Sequence, residues 1–316
     1  MLKRILVPLD GSARAESALP VAARIARASS GVIMLMQVVN MPMEYSPYLT
    51  QAGIFTQETL EVELEAAETY LRRVADKLHG VETKVEAVYG VPALAILSVV
   101  HEQRADLVVI CSHGHTGFKR WVLGSVAQKV VHHSPVPVLV LREDRRIPAA
   151  SLPDAGEPVR AIVGLDGSAL AKEALLPTAE LVSALSAPAR GSLHLTRVVK
   201  LPMHGQGKEF DPIVREQALY KATTYLSSVV DLLRDGPLGK LNLSITWSVT
   251  CDEDAAHGLI KLAEEGDTAG RYDLIALATH GRGGLQRWAL GSVTDRVINS
   301  TKLPLMIVRP HQDVEK

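Results

Sequence analysis

"ADLVVICSHGHTGFKRWVLGSV", residues 105–126, runs from a short apolar, β-branched stretch straight into a glycine-rich loop and then to Gly124-Ser125. The apolar run is short and bounded by glycine, so it reads as a buried strand. "YDLIALATHGRGGLQRWALGSV", residues 272–293, repeats the pattern. His113/His280, Gly114/Gly281, Gly117/Gly284 and Gly124-Ser125/Gly291-Ser292 fall in the same places. An internal repeat of this length sets the architecture before any single element does.

Outward from these loops the repeat continues in both directions. "RILVPLD" (4–10) and "RAIVGLD" (160–166) read as buried strands stopped at Asp-Gly. Each leads into an alanine-rich amphipathic stretch, "ARAESALPVAARIARAS" (13–29) or "ALAKEALLPTAELVSAL" (169–185), with Ser12 or Ser168 placed to cap a single helix. A second run follows, "VIMLMQVV" (32–39) or "SLHLTRVV" (192–199), then an irregular loop and a longer helix. Third strands are expected at "TKVEAVY" (83–89) and "NLSITWSV" (242–249), with helices at "PALAILSVVHEQ" and "AAHGLIKLAEEG". "VPVLVLR" (136–142) and "LPLMIVR" (303–309) close the halves. Near-continuous apolar strands alternating with helices imply a parallel sheet covered on both faces. The expected fold is α/β, two tandem doubly wound domains at 1–143 and 158–310, with a linker at 144–157 and a tail at 311–316. The extra length of the second half falls at "SAPARG" and "DGPLGK".

At 316 residues the chain is long enough for two cores. Its 34 lysines and arginines are scattered among 35 acids for a net charge of −1, which argues against nucleic acid as a main partner. Cys111 and Cys251 occupy non-equivalent places and indicate neither a disulfide framework nor a metal cluster. The apolar run in "MLKRILVPLDGS" is too short for a signal peptide, and no stretch approaches the ~18 residues of a membrane span. A cytoplasmic location is expected.

In open parallel sheets, ligands lie beyond the carboxyl ends of the strands, where the connection direction reverses. Asp10 and Asp166 end the first strands and the glycine loops end the fourth, so both face one crevice if these strands are neighbours. Gly114 and Gly117 would let backbone approach a phosphate. Gly124-Ser125 would enter a helix whose unpaired N–H groups and dipole favour an anion. Asp-Gly is equally an ordinary turn. His113 and His280 lack a second His or acid at ligand spacing and read as structural. Packing is the reading for Trp121 and Trp288, with Arg120 and Arg287 beside them. His132-His133 suits a helix end, and Cys111 a small buried position. A dinucleotide fingerprint is disfavoured, because that motif follows the first strand.

Taken together, these signals resemble the universal stress protein family: an early "VPLDGS", then the spacing Gly, two residues, Gly, nine residues, Gly-Ser, then "PVPVLVLR". Cys111 and Ala278 stand in place of the first glycine. The resemblance covers essentially the whole chain as two copies. It implies a five-stranded parallel sheet in the order 3-2-1-4-5 in each domain, adenine nucleotide alpha hydrolase-like, with helices on both faces. It also implies ATP in each crevice, with magnesium or manganese as the candidate metal. By resemblance, Asp10-Gly11-Ser12 and Asp166-Gly167-Ser168 meet the ribose or a metal-linked phosphate. Backbone at Val38-Val39 and Val198-Val199 meets adenine. His113, Gly114, Gly117, Gly124 and Ser125, with His280, Gly281, Gly284, Gly291 and Ser292, surround the phosphates.

Binding rather than turnover is expected, since no nucleophile–base pair or Walker-type lysine is in view. The alternatives are a weak ATPase or nucleotidyl-transfer enzyme using His113 or His280, and a nucleotide-free module binding a protein or apolar ligand through loops 40–57 and 200–214. Where the first copy has "YGVPA" (89–93), the second has "TCDEDAA" (250–256), whose acids rank the first crevice as the better phosphate site. The last strands, 136–142 and 303–309, are expected at sheet edges, pairing the halves into an internal pseudo-dimer. A second copy of the chain is a further candidate partner.

Overall fold

The computed structural model describes residues 2–40, 57–112, 123–142, 155–200, 212–279 and 290–310. The chain divides into two compact units that part near residue 143. In the first, β1 (Arg4–Leu9), β2 (Val32–Val39), β3 (Glu82–Tyr89), β4 (Leu107–Cys111) and β5 (Val138–Leu141) are all parallel, in the order β3-β2-β1-β4-β5. In the second, β6 (Arg160–Gly164), β7 (Gly191–Lys200), β8 (Leu243–Asp252), β9 (Leu274–Ala278) and β10 (Leu305–Val308) repeat it as β8-β7-β6-β9-β10. The central strands are apolar because both faces are covered: Ile5, Leu6, Val7, Leu107, Val108 and Val109 are fully buried. Each unit is the expected doubly wound α/β sheet.

The single helix expected after each first strand is instead two. Helical turns at Ala13–Glu16 and Ala169–Lys172 are separated from the helices Leu19–Ser29 and Leu175–Ser186. Pro20 and Pro177 are the cause: each lacks an N–H, and its ring excludes the carbonyl four residues back from a continuous helix. Each proline falls in the first turn of the second piece, where it costs nothing. The later helices run Gln57–Ala75, Pro92–Glu102 and Ser125–His133 in the first unit, and Pro212–Asp235, Ala255–Glu265 and Ser292–Ser300 in the second. The third strand of the second unit runs three residues beyond the expected Val249, through Thr250, Cys251 and Asp252, because β7 stays paired with it to Lys200↔Asp252.

One repeated device aligns the strands that will form the site. Asp106, just before β4, accepts the backbone N–H groups of Lys3 and Arg4 through Oδ2 at 2.9 and 2.8 Å. Asp273, before β9, accepts that of Arg160 at 2.8 Å. A carboxylate at the amino end of the fourth strand thereby fixes the first strand beside it. Burial, opposed by the Arg160 N–H, raises Asp273 to about 6.

Candidate functional site

The direction in which successive strands are added to the sheet reverses between the parallel neighbours β1 and β4, and between β6 and β9, and in such sheets the ligand crevice lies beyond the carboxyl ends of those pairs. The first wall is the Asp-Gly-Ser turn. Ser12 donates to Asp10 Oδ1 from its N–H at 3.0 Å and from its hydroxyl at 2.6 Å, while Ser12 Oγ accepts from Ala15 N at 3.1 Å. In the second copy Ser168 N donates to Asp166 Oδ1 at 2.8 Å and Ser168 Oγ accepts from Ala171 N at 3.1 Å. Between them, Gly11 and Gly167 take φ of +82° and +94°, a left-handed conformation open to glycine at little cost. The serine caps are as expected. In both copies the aspartate closes the turn through Oδ1, as the Asp-Gly turn reading expects.

The opposite wall is the start of the helix after the glycine loop. Gly124 N donates to Ser112 O at 2.7 Å, and Gly291 N to Thr279 O at 2.8 Å. These bonds pin the helix start to the end of the fourth strand. A Cβ on Gly291 would lie 3.0 Å from Thr279 O, so a larger residue would push the two segments apart. Gly124 and Gly291 are N-caps without a side-chain hydrogen bond, and the helices begin at Ser125 and Ser292. The ladders open with Gln128 N to Gly124 O and Asp295 N to Gly291 O, leaving the first-turn amides without intrahelical acceptors. Such a terminus, carrying a serine hydroxyl, suits a negatively charged group.

Between the walls, pairing of β1 with β2 ends at Leu9↔Gln37, one residue short of Val38-Val39. Val39 O accepts from Gly90 N at 3.2 Å, so this carbonyl is turned to the β3 side. In the second copy the ladder with β8 covers Val198↔Thr250 and Val199↔Cys251. His113, Gly114, Gly117, His280, Gly281 and Gly284 lie outside the described residues, as do Arg120-Trp121 and Arg287-Trp288.

The acids at the end of β8 are engaged in local structure. Asp254 caps the helix Ala255–Glu265, its Oδ1 accepting from Ala256 N at 2.9 Å and His257 N at 3.0 Å, and its Oδ2 meets the Arg296 guanidinium. Asp252 accepts from Asp254 N at 2.9 Å, and its Oδ2 is 2.9 Å from His257 Nδ1. A backbone N–H is the largest influence on each and holds both carboxyls below the usual range: that of Asp254 for Asp252, and that of His257 for Asp254. In the residue order these acids stand as bare negative charge; their cap spacing is the signal for a structural role.

Cys111 ends β4 half-buried, its Sγ 3.1 Å from Ser17 Oγ, and neither Cys111 nor Cys251 is in a disulfide. Among the described residues no three His, Cys, Asp or Glu side chains converge to hold a metal ion. Among them, too, no helix is long and apolar enough to cross a membrane.

Comparison with known proteins finds the Universal stress protein family matched twice, over residues 1–142 and 160–309. The chain is 26% identical over 318 residues to universal stress protein Rv2005c of Mycobacterium tuberculosis, covering 96% of each chain. It is 31% identical over 150 residues to universal stress protein MJ0531 of Methanocaldococcus jannaschii, covering 46% of this chain and 85% of the relative. Among solved structures, a universal stress protein from Archaeoglobus fulgidus shares its fold with a TM-score of 0.62 at 18% identity, over 98% of this chain and 99% of the other.

Proposed function

The chain belongs to the universal stress protein family as two consecutive copies, and from that premise we propose that it is an ATP-binding stress-response module that holds nucleotide without efficient turnover. The observation that carries this reading is the pairing, in both copies, of an Asx turn with an uncapped helix start across the switch point. The amides and hydroxyls of Ser125 and Ser292 receive phosphate oxygens, and by family resemblance Gly114, Gly117, Gly281 and Gly284 belong to the same phosphate site. The carboxylates of Asp10 and Asp166 accept from ribose hydroxyls, and the backbone of Val38-Val39 and Val198-Val199 borders the adenine. When bound, a magnesium or manganese ion would screen phosphate charge. The family resemblance supports ATP as the ligand, and two cysteines outside any disulfide fit a reducing, cytoplasmic compartment. The proposal extends to pairing of the halves through 136–142 and 303–309, and to chain homodimers.

Each charged hydrogen bond contributes roughly 1.5–3 kcal/mol, so a few converging donors suffice for micromolar binding. Titration calorimetry of the full chain with ATP tests the reading. Saturable binding reduced to about half its stoichiometry by Gly124→Val supports it, and no heat at millimolar ATP contradicts it.

A further inference from the structure

Beside the Asp-Gly-Ser turns a tyrosine common to both copies sits among two positions whose chemistry differs between them. In the first, Tyr70 Oη donates to Glu16 Oε1 at 3.0 Å, and Lys77 Nζ lies 3.8 Å from Glu16 Oε2. Burial, with this bond to a carboxylate, raises the Tyr70 hydroxyl above its ordinary range. Gln37 ends the ladder with β1 and turns its amide to the mouth: Nε2 would be 3.9 Å from a Cβ on Gly11. Gln37 Oε1 is shut off from solvent and has no hydrogen-bond partner among the described residues. A buried acceptor without a donor costs free energy that an incoming N–H or O–H recovers.

In the second copy the tyrosine is kept as Tyr225, while Lys172 replaces Glu16 and Arg197 replaces Gln37. Lys172 stands where the first copy has the Glu16 carboxylate, and two half-buried cations share the aromatic face. Lys172 Nζ is 5.3 Å and Arg197 Cζ 5.5 Å from the Tyr225 ring centroid. The guanidinium lies against the turn, with Nη1 3.0 Å from where a Cβ on Gly167 would sit. A planar group of donors held at the rim of a crevice is suited to a phosphate.

We propose that the position shared by Gln37 and Arg197 determines specificity. The first crevice takes a nucleoside that presents an N–H or O–H donor to Gln37 Oε1, and the second takes a phosphate group against Arg197 and Lys172. This rests on the nucleotide reading for the location of the ligands. It departs from that reading in making the two crevices unlike, and it sets the second, rather than the first, as the stronger anion site.

The test uses two probes that divide ATP into its parts, adenosine and inorganic triphosphate, titrated separately into the full chain by calorimetry. Adenosine is expected at one site per chain, weakened roughly tenfold by Gln37→Leu and unchanged by Arg197→Gln, one lost hydrogen bond being about one factor of ten. Triphosphate is expected to show the reverse pattern, weakened roughly tenfold or more by Arg197→Gln and by Lys172→Glu. The exchange variant Glu16→Lys/Gln37→Arg should gain a second triphosphate site, with an unchanged thermal melt as the check on folding. Equal losses for both probes with both single variants, or no binding of either probe, overturns the proposal. Should the probes behave as stated while ATP does not bind, the ATP reading fails and this inference stands. If ATP binds at two sites that respond alike to every variant, the outcome is the converse.

Discussion

In the first copy the helix Pro92–Glu102 starts on Val91, whose side chain caps nothing; in the second the equivalent helix starts on Asp254, which takes two backbone amides and Arg296. At the other end of the sheets, Arg4 lies a loose 3.8 Å from Asp106, with both side chains partly exposed. Arg160 instead bonds Asp267 at 2.8 Å and Arg271 O at 2.9 Å and stacks 4.6 Å over the fully buried Tyr272, whose hydroxyl donates to Asp267 at 2.6 Å. What both copies keep is backbone-directed: a carboxylate holding β1 or β6, an Asx turn, and a glycine pinned under the start of a helix. What differs is charge placed around that frame. The common frame is therefore set by main-chain bonding, while the side chains placed around it differ between the copies.

The comparison is tested hardest at the glycine common to both frames. Gly291→Val should cost the second crevice several charged hydrogen bonds, a loss of roughly a hundredfold or more in triphosphate affinity, and leave adenosine binding at the first unchanged. Calorimetry with both probes reads this directly. A loss at both crevices would show that they are not independent.

Next in size is the second copy's staple. Asp267→Ala leaves the mostly buried Arg160 unpaired and should destabilise that unit by roughly 2 kcal/mol, between surface and buried ion pairs. Arg4→Met in the first should stay within about 0.5 kcal/mol. Hydrogen exchange at 160–164 against 4–9 separates the two. Burial raises Asp267, but the Tyr272 hydroxyl and Arg160 outweigh it and bring it down to about 2. Its contribution is present above the unfolded carboxylate value near 4 and lost as pH falls through about 2.

Asp273 has the opposite sign. With its folded value raised to about 6, the native state holds the proton more tightly than the unfolded chain, so stability falls as pH rises from about 4 to 6. Asp273→Asn keeps an acceptor for Arg160 N and should flatten that decline, by about 1 kcal/mol after discounting for partial exposure. Denaturant midpoints at pH 4.5 and 7.5 check it. The smallest effect exchanges a cap: Val91→Asp should stabilise the first unit by about 0.5–1 kcal/mol, as Asp254 does for the second.

Much of this frame was legible in the residue order. Uninterrupted apolar runs such as "LVVIC" gave the parallel strands, Ser12 and Ser168 the caps, and the doubled Gly-Ser the helix starts. The broken first helices were legible too, in Pro20 and Pro177, but alanine-rich periodicity masked the break. The length of β8 was not, because Asp252 and Cys251 disfavour a strand and only pairing with β7 holds them there. Nor was the meaning of the acids after β8, since a count of charges says nothing of which amides they accept. Gln37 and Arg197 drew no notice within "VIMLMQVV" and "SLHLTRVV"; only their common place beneath the Asp-Gly-Ser turn gives the exchange its weight.

The central claim is that two backbone-built hollows in this chain hold adenine nucleotide. Mass spectrometry of ligand released from gently purified protein meets it most directly. The account predicts about two adenine nucleotides per chain; protein that releases none, and that stays empty after incubation with millimolar ATP, would contradict it.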